Sequence, residues 1–140
     1  MALRVRRDHL EQIIAQARAE VPNECCGMLA GRGETVEEVF PGRNNDRSPK
    51  TYVMDPEDQF RAFRAMDERG WDLVAIYHSH PRTEAVPSRT DRERAIDGDG
   101  NPLFPDTQYV IVSLRDAARP QVRAFRMREG QFTEEEVVIT

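Results

Sequence analysis

Two histidines separated by one residue, His78 and His80, are the side chains in this sequence best suited to chemistry. In an extended strand, residues i and i+2 point to the same face, so both imidazoles can converge on one point at a strand end. Two neutral imidazoles at that separation suit zinc or another divalent transition metal. Asp91 follows His80 by eleven residues. The stretch from Thr83 to Pro87 is loop-like, so the chain can curl back and offer that carboxylate as a third ligand. Three protein ligands leave the fourth tetrahedral position open for water, the arrangement of a catalytic rather than a structural site. A His-x-His pair on a surface commonly binds nothing, and that reading stands beside the metal one. The placement of these two at the mouth of the most apolar run favours ligation. The remaining histidine, His9, falls on the polar side of the first expected helix and reads as solvent-exposed.

Other reactive residue types give less. Cys25 and Cys26 are adjacent, which excludes a disulfide framework and suits a reducing compartment. They read as small packed hydrophobes rather than nucleophiles. No Pro-Cys-x-x-Cys segment is present, which excludes the zinc deaminase pattern. Taken alone, Glu24 reads as a solvated carboxylate at a strand end, and Ser88 as a helix N-cap ahead of Thr90 and Asp91.

The elements that must position these residues are legible in the pattern. Leu10, Ile13, Ile14, Ala17 and Val21 form one apolar stripe. They predict a helix from about Asp8 to Val21, with Asp8 as N-cap, Glu11 completing a capping box and Pro22 as the stop. Glu24 to Gly31 and Glu34 to Phe40 predict a hairpin of two strands. Pro41 to Pro49 is a polar loop, and Tyr52 to Met54 a short strand. Asp55, Pro56 and Gly70 punctuate a second helix, with Phe60, Phe63 and Met66 on its inner side. Leu73 to Tyr77 is continuously apolar, as in a central strand buried on both faces, and it leads directly into His78. A short helix at Thr90 to Ile96, a strand at Gln108 to Leu114 and a closing hairpin (Val122 to Met127, Phe132 to Ile139) complete the chain. Such a mixture predicts a sheet with helices packed on its faces.

Composition narrows the function classes. Twenty basic against 25 acidic side chains give a net charge of -5. That disfavours a general nucleic-acid or anionic-membrane binder, since such binding rests on neutralising phosphate. No apolar run approaches the ~20 residues of a membrane helix. With 140 residues, 39% hydrophobic and 32% charged, the expectation is one domain over residues 1–140, in the cytosol.

One pattern joins the separate candidates: Glu24 on an early strand, then His78-Ser79-His80, seven residues from Pro81 to Pro87, then Ser88, Arg89, Thr90 and Asp91. It resembles the signature of the JAMM (MPN-plus) metalloproteases. The likeness runs over nearly the whole chain, and Glu24-Cys25-Cys26-Gly27-Met28-Leu29-Ala30-Gly31 is similar to the strand of their minimal prokaryotic branch. The stretch around Tyr77 to Asp91 looks like the bacterial Mec-type CysO-cysteine peptidases. The resemblance implies an α/β fold, a mixed, mostly antiparallel central sheet with helices on its faces (the MPN/JAB domain, cytidine-deaminase-like). It implies one zinc ion per chain on His78, His80 and Asp91, Glu24 as general base, and Ser88 as donor to the developing oxyanion. It implies hydrolysis after the C-terminal Gly-Gly of a ubiquitin-like sulfur-carrier protein, with release of cysteine. Removal of such a protein from lysines is the alternative, and a non-catalytic scaffold or a RadC-like DNA-linked role stands further off. Arg82, Arg89 and Arg92 are candidates to hold a terminal carboxylate or an acidic carrier surface, though each also reads as a solvated charge. Neither nucleic acid nor membrane is expected as a partner, and a homodimer is left open.

Overall fold

The structure, a computed structural model, describes residues 2–140. Its elements are β1 (Ala2–Val5), α1 (Arg7–Glu20), β2 (Cys26–Arg32), β3 (Thr35–Gly42), α2 (Pro56–Arg69), β4 (Asp72–His80), α3 (Arg89–Arg94), β5 (Gln108–Ser113), β6 (Gln121–Arg128) and β7 (Gln131–Ile139). The strands join in the order β1-β3-β2-β4-β5-β6-β7, and the sheet bends until β1 lies beside both β3 and β7. Pairing is antiparallel for β2 with β3 and β4, and for β6 with β5 and β7. It is parallel for β4 with β5 and for β1 with its two neighbours. The expected mixed, mostly antiparallel sheet is therefore present, and its curvature closes it into a barrel.

Strand alternation divides the core. Leu29, Ala75, Tyr77, Val110 and Val112 pack with Leu10, Ile13 and Ala17 of α1. Cys26, Met28 and Ala30 point the other way and meet Met54 together with Ala62 and Met66 of α2. β4 has neighbours on both edges and is buried from Val74 to His80, as its unbroken apolar run predicts. α2 starts and ends as expected. The Asp55 side chain accepts from the Glu57 N–H, and Gly70 adopts the left-handed conformation. The β6–β7 turn has positive φ at both Glu129 and Gly130, the geometry that tight hairpins require.

Four expectations fail. Asp8 does not cap α1. The chain passes from β1 into the helix almost without a break, so Arg6 takes the cap position, and Asp8 instead pairs with the Arg6 guanidinium at 2.9 Å. Phe60 and Phe63 do not face inward, being 65% and 36% exposed. At ~100° per residue Phe60 lies about 120° from Met66, so the two cannot share a stripe, and α2 rests on Ala62 and Met66. His9 is buried, with Arg6 Nη2 3.2 Å from its Nε2. β1, too short and mixed to stand out in sequence, owes its place to the β7 edge. The expected strand at Tyr52 to Met54 amounts to one bridge, Asn44 to Met54.

The end of β2 nearest the histidines is pinned by one side chain. Gly27 sits directly across from Tyr77, whose ring covers it, and the Tyr77 hydroxyl donates to Gln16 Oε1. Gln16 Nε2 in turn donates to the Cys26 carbonyl at 3.0 Å. A methyl group on Gly27 would overlap the buried Tyr77 ring. Gly27→Ala is expected to cost about 1–3 kcal/mol, as overpacking does. Urea unfolding checks this, and a variant as stable as the parent would show that the ring gives way freely.

Candidate metal centre

Strand register builds the site. In the β2–β4 ladder Cys26 pairs with His78, and beyond it the Ser79 N–H donates to the Cys25 carbonyl at 3.1 Å. Continued one further residue, that register sets Glu24 beside His80. By the two-residue period of a strand, Glu24 and Cys26 share the face that carries His78 and His80. α3 then brings Asp91 over the histidines.

The three expected ligands meet. His78 Nε2, His80 Nε2 and Asp91 Oδ2 form a triangle with every side 3.1 Å. Tetrahedral ligands with bonds of ~2.0–2.1 Å span about 3.3 Å, so the triangle fits a small divalent metal. Tautomers agree. His80 Nδ1 lies 2.7 Å from the Glu84 carbonyl, which can only accept, so neutral His80 carries its proton there and its lone pair on Nε2. His78 is held differently, its ring stacked on Tyr52 with centroids 4.5 Å apart and planes at 22°.

Asp91 owes its aim to the start of α3. Ser88 Oγ accepts from the Asp91 N–H at 3.0 Å, and Asp91 Oδ2 accepts from the Ser88 N–H at 2.9 Å, a reciprocal capping box. Both sequence readings of Ser88 are thus compatible. Its oxygen caps the helix as an acceptor, and its hydroxyl proton remains available to donate elsewhere.

Electrostatics separates the two carboxyl groups. Glu24 is 2% exposed and its Oε1 has no hydrogen-bond partner. Burial raises this carboxyl to about 8, with the neighbouring His80 opposing the shift. Burial also pushes Asp91 upward, but hydrogen bonds with His78, His80 and the Ser88 N–H outweigh it and hold Asp91 below the usual carboxylate range. Burial lowers His78. It would lower His80 as well, yet the hydrogen bonds to Asp91 and the Glu84 carbonyl leave His80 raised. The Cys25 thiol, pushed up to about 12 by burial, is a packed group and not a nucleophile at neutral pH.

Glu24, His78, His80, Ser88 and Asp91 therefore come together. Arg82, Arg89 and Arg92 are exposed. Arg89 pairs with Glu93 at 3.0 Å, and Arg89 and Arg92 edge an open groove beside Ser88 whose floor is Phe125 and Phe132. Tyr52, Asn44 and Arg94 were not singled out from the sequence. Tyr52 gives only the signal of a short strand after a polar loop, and the other two give none.

Comparison with known proteins is consistent across the chain. Residues 6–128 match the family model of prokaryotic homologues of the JAB domain. A protein of Mycobacterium tuberculosis named CysO-cysteine peptidase is 41% identical over 135 residues, covering 95% of this chain and 88% of that one. A Thermus thermophilus protein named probable TtuB-protein conjugate cleaving protease is 43% identical over 132 residues, covering 94% and 80%. The solution structure of a Desulfitobacterium hafniense protein superposes with a TM-score of 0.85 at 35% identity, over 100% of this chain and 93% of that one.

Glu24 makes stability depend on pH. Its carboxyl is raised on folding, so between about pH 4.3 and pH 8 the metal-free folded protein keeps a proton that the unfolded chain releases. Stability from this group is fully present at low pH and declines as pH rises, by at most about 1.4 kcal/mol per unit. Glu24→Gln lacks the titration, so its stability relative to the parent should grow from about pH 5 to pH 8. Urea unfolding of both metal-free proteins at several pH values checks this. A constant difference would contradict the raised carboxyl.

Proposed function

The chain belongs to the family of prokaryotic homologues of the JAB domain, peptidases of the JAMM type. From that premise we propose that it uses one zinc ion to hydrolyse the amide bond after the C-terminal Gly-Gly of a ubiquitin-like sulfur carrier, releasing cysteine. The observation that carries this reading is the convergence of three metal donors beside a buried carboxylate with an unpartnered oxygen. The M. tuberculosis relative, by its name, supports cysteine as the group released.

His78, His80 and Asp91 would hold the metal, which would supply Lewis acidity and lower the pKa of a bound water towards ~7. Glu24 accepts the proton of the attacking water. Its raised proton affinity suits it to deliver that proton to the departing amine, which must leave protonated when the C–N bond breaks. Ser88, with its oxygen engaged by the Asp91 N–H, directs its hydroxyl proton to the carbonyl oxygen as charge develops there. Arg89 and Arg92, which edge the groove beside Ser88, and the exposed Arg82 would offer positive charge to a carrier's acidic surface or the terminal carboxylate. A single catalytic domain acting in the cytosol belongs to the same reading.

A second reading, removal of a ubiquitin-like protein from lysines, is favoured by the name of the T. thermophilus relative. A non-catalytic scaffold needs no ligand set, yet the whole set is here. A DNA-linked role gains nothing from a net charge of -5.

Carriers ending in Gly-Gly-Cys, and the same carriers joined by Gly-Gly to a lysine side chain, separate the two readings by the mass of the product. Release of cysteine, lost with chelator and restored by zinc, is expected. Exclusive cleavage of the lysine conjugate would favour the second reading. Glu24→Ala should lower kcat by about 10²–10⁴, and unchanged cleavage would rule out the mechanism. Ser88→Ala should lower kcat by about 10²–10³. Its lost cap should also cost about 1 kcal/mol of stability, so the rate must be read on folded protein.

A further inference from the structure

Asn44 lies between β3 and α2 and is 8% exposed. Its side-chain amide makes all four hydrogen bonds available to it. Nδ2 donates to the Glu24 carbonyl at 3.1 Å and the Thr51 carbonyl at 3.0 Å. Oδ1 accepts from the Asp46 N–H at 3.0 Å and the Val53 N–H at 3.1 Å. Thr51 and Val53 flank Tyr52, the residue stacked on His78. One amide thus grips the chain on both sides of that ring and, through a third contact, the peptide of Glu24.

Glu24 depends on these contacts more than a residue inside a strand would. It precedes the first ladder pair of β2, so its backbone groups find other partners. Its N–H goes to the Ser48 carbonyl at 2.8 Å and its carbonyl to Asn44, so both are held by the same segment. Its Oε1 has no hydrogen bond, so the aim of the carboxylate is set from the backbone beneath it. Arg94 completes the tie. It donates to the Tyr52 carbonyl at 2.8 Å and to Asp46 at 2.9 Å, joining the segment to α3, the helix that carries Asp91.

We infer that Asn44 is a positioning residue, which holds the peptide of Glu24 and the ring of Tyr52 in fixed relation so that the Glu24 carboxylate faces the three metal donors. The inference rests on Glu24 being the base, as proposed above. A mere loop staple would move stability alone. A positioning residue moves kcat while leaving substrate affinity and metal content in place.

The test uses the full-length, zinc-loaded Asn44→Ala protein, with Asn44→Ser carrying the same expectations should the alanine variant fail to fold. Cleavage of a Gly-Gly-Cys carrier should show kcat lower by about 10- to 100-fold. KM should stay within about twofold of the parent, with one zinc per chain by elemental analysis. Hydrogen exchange should accelerate at the amides of Glu24, Asp46 and Val53, while β4 and β5 keep parental protection. In a Glu24→Gln background the added loss in kcat should shrink to less than about twofold, because the group being positioned is gone. Parental kcat, or unchanged exchange at Glu24, would overturn the inference and leave the proposed function standing. Should the parent cleave no carrier, the functional reading fails, and the exchange and zinc measurements alone decide whether Asn44 sets this segment.

Discussion

The site depends on the antiparallel pairing of β2 with β4. That ladder sets Cys26 opposite His78 and, continued, Glu24 beside His80. Side chains in a strand have a period of two, so a slip of one residue would turn Glu24 to the opposite face from the histidines. Burial prevents such a slip. Both faces of β4 are packed, one against α1 and the other against the α2 side, and either error would expose apolar residues and bury polar ones. Gly27 refines the lock, since the Tyr77 ring lies across it and reaches Gln16, which holds the Cys26 carbonyl. The chemistry is thus referred to the most buried part of the molecule, although the histidines lie at the strand's end.

Two carboxyl groups in one small site are driven in opposite directions. Asp91 is buried but well supplied with partners, so it stays ionised and fits the role of a ligand. Glu24 is buried with an unpartnered oxygen, so in the metal-free protein it holds a proton up to about pH 8, and a bound cation nearby would favour its ionised form, as a proton acceptor requires. Pairs of titratable groups pushed apart by their surroundings mark acid–base function more reliably than a single shifted residue does.

Residues near one another in sequence were the most legible. His78, His80 and Asp91 lie within one strand–loop–helix passage, and their spacing alone suggests convergence, whereas Ser88 taken alone reads as a helix N-cap and gains a site role only through the resemblance. Glu24 was not legible from its own surroundings, because a glutamate at a strand start normally faces water. Its role entered through the resemblance, and its burial comes from the segment that folds over it. The first part of that segment, Pro41 to Pro49, reads as a polar loop because Asn, Asp, Ser and Pro favour turns. Nothing local told that the Asn44 amide faces inward, since its partners come from residues 24, 46, 51 and 53. Asp8 fits the local capping rule, but a strand entering α1 directly decides the outcome. Phe60, about 120° from Met66, falls outside the buried stripe by helix geometry itself.

The spacing Ser-x-x-Asp at 88–91 has a helical explanation independent of metal. A capping box needs its two members three residues apart, so that each side chain reaches the other's N–H. α3 has only six residues, too few to be stable by propensity, and its first turn is held by this reciprocal pair. The same pair turns Asp91 Oδ2 toward the histidines and occupies the Ser88 oxygen, leaving the hydroxyl proton as its free donor. One short-range motif therefore starts the helix, aims a ligand and orients a hydroxyl. Changing the interval by one residue would break all three together, which ties the chemistry of the site to the way a helix begins.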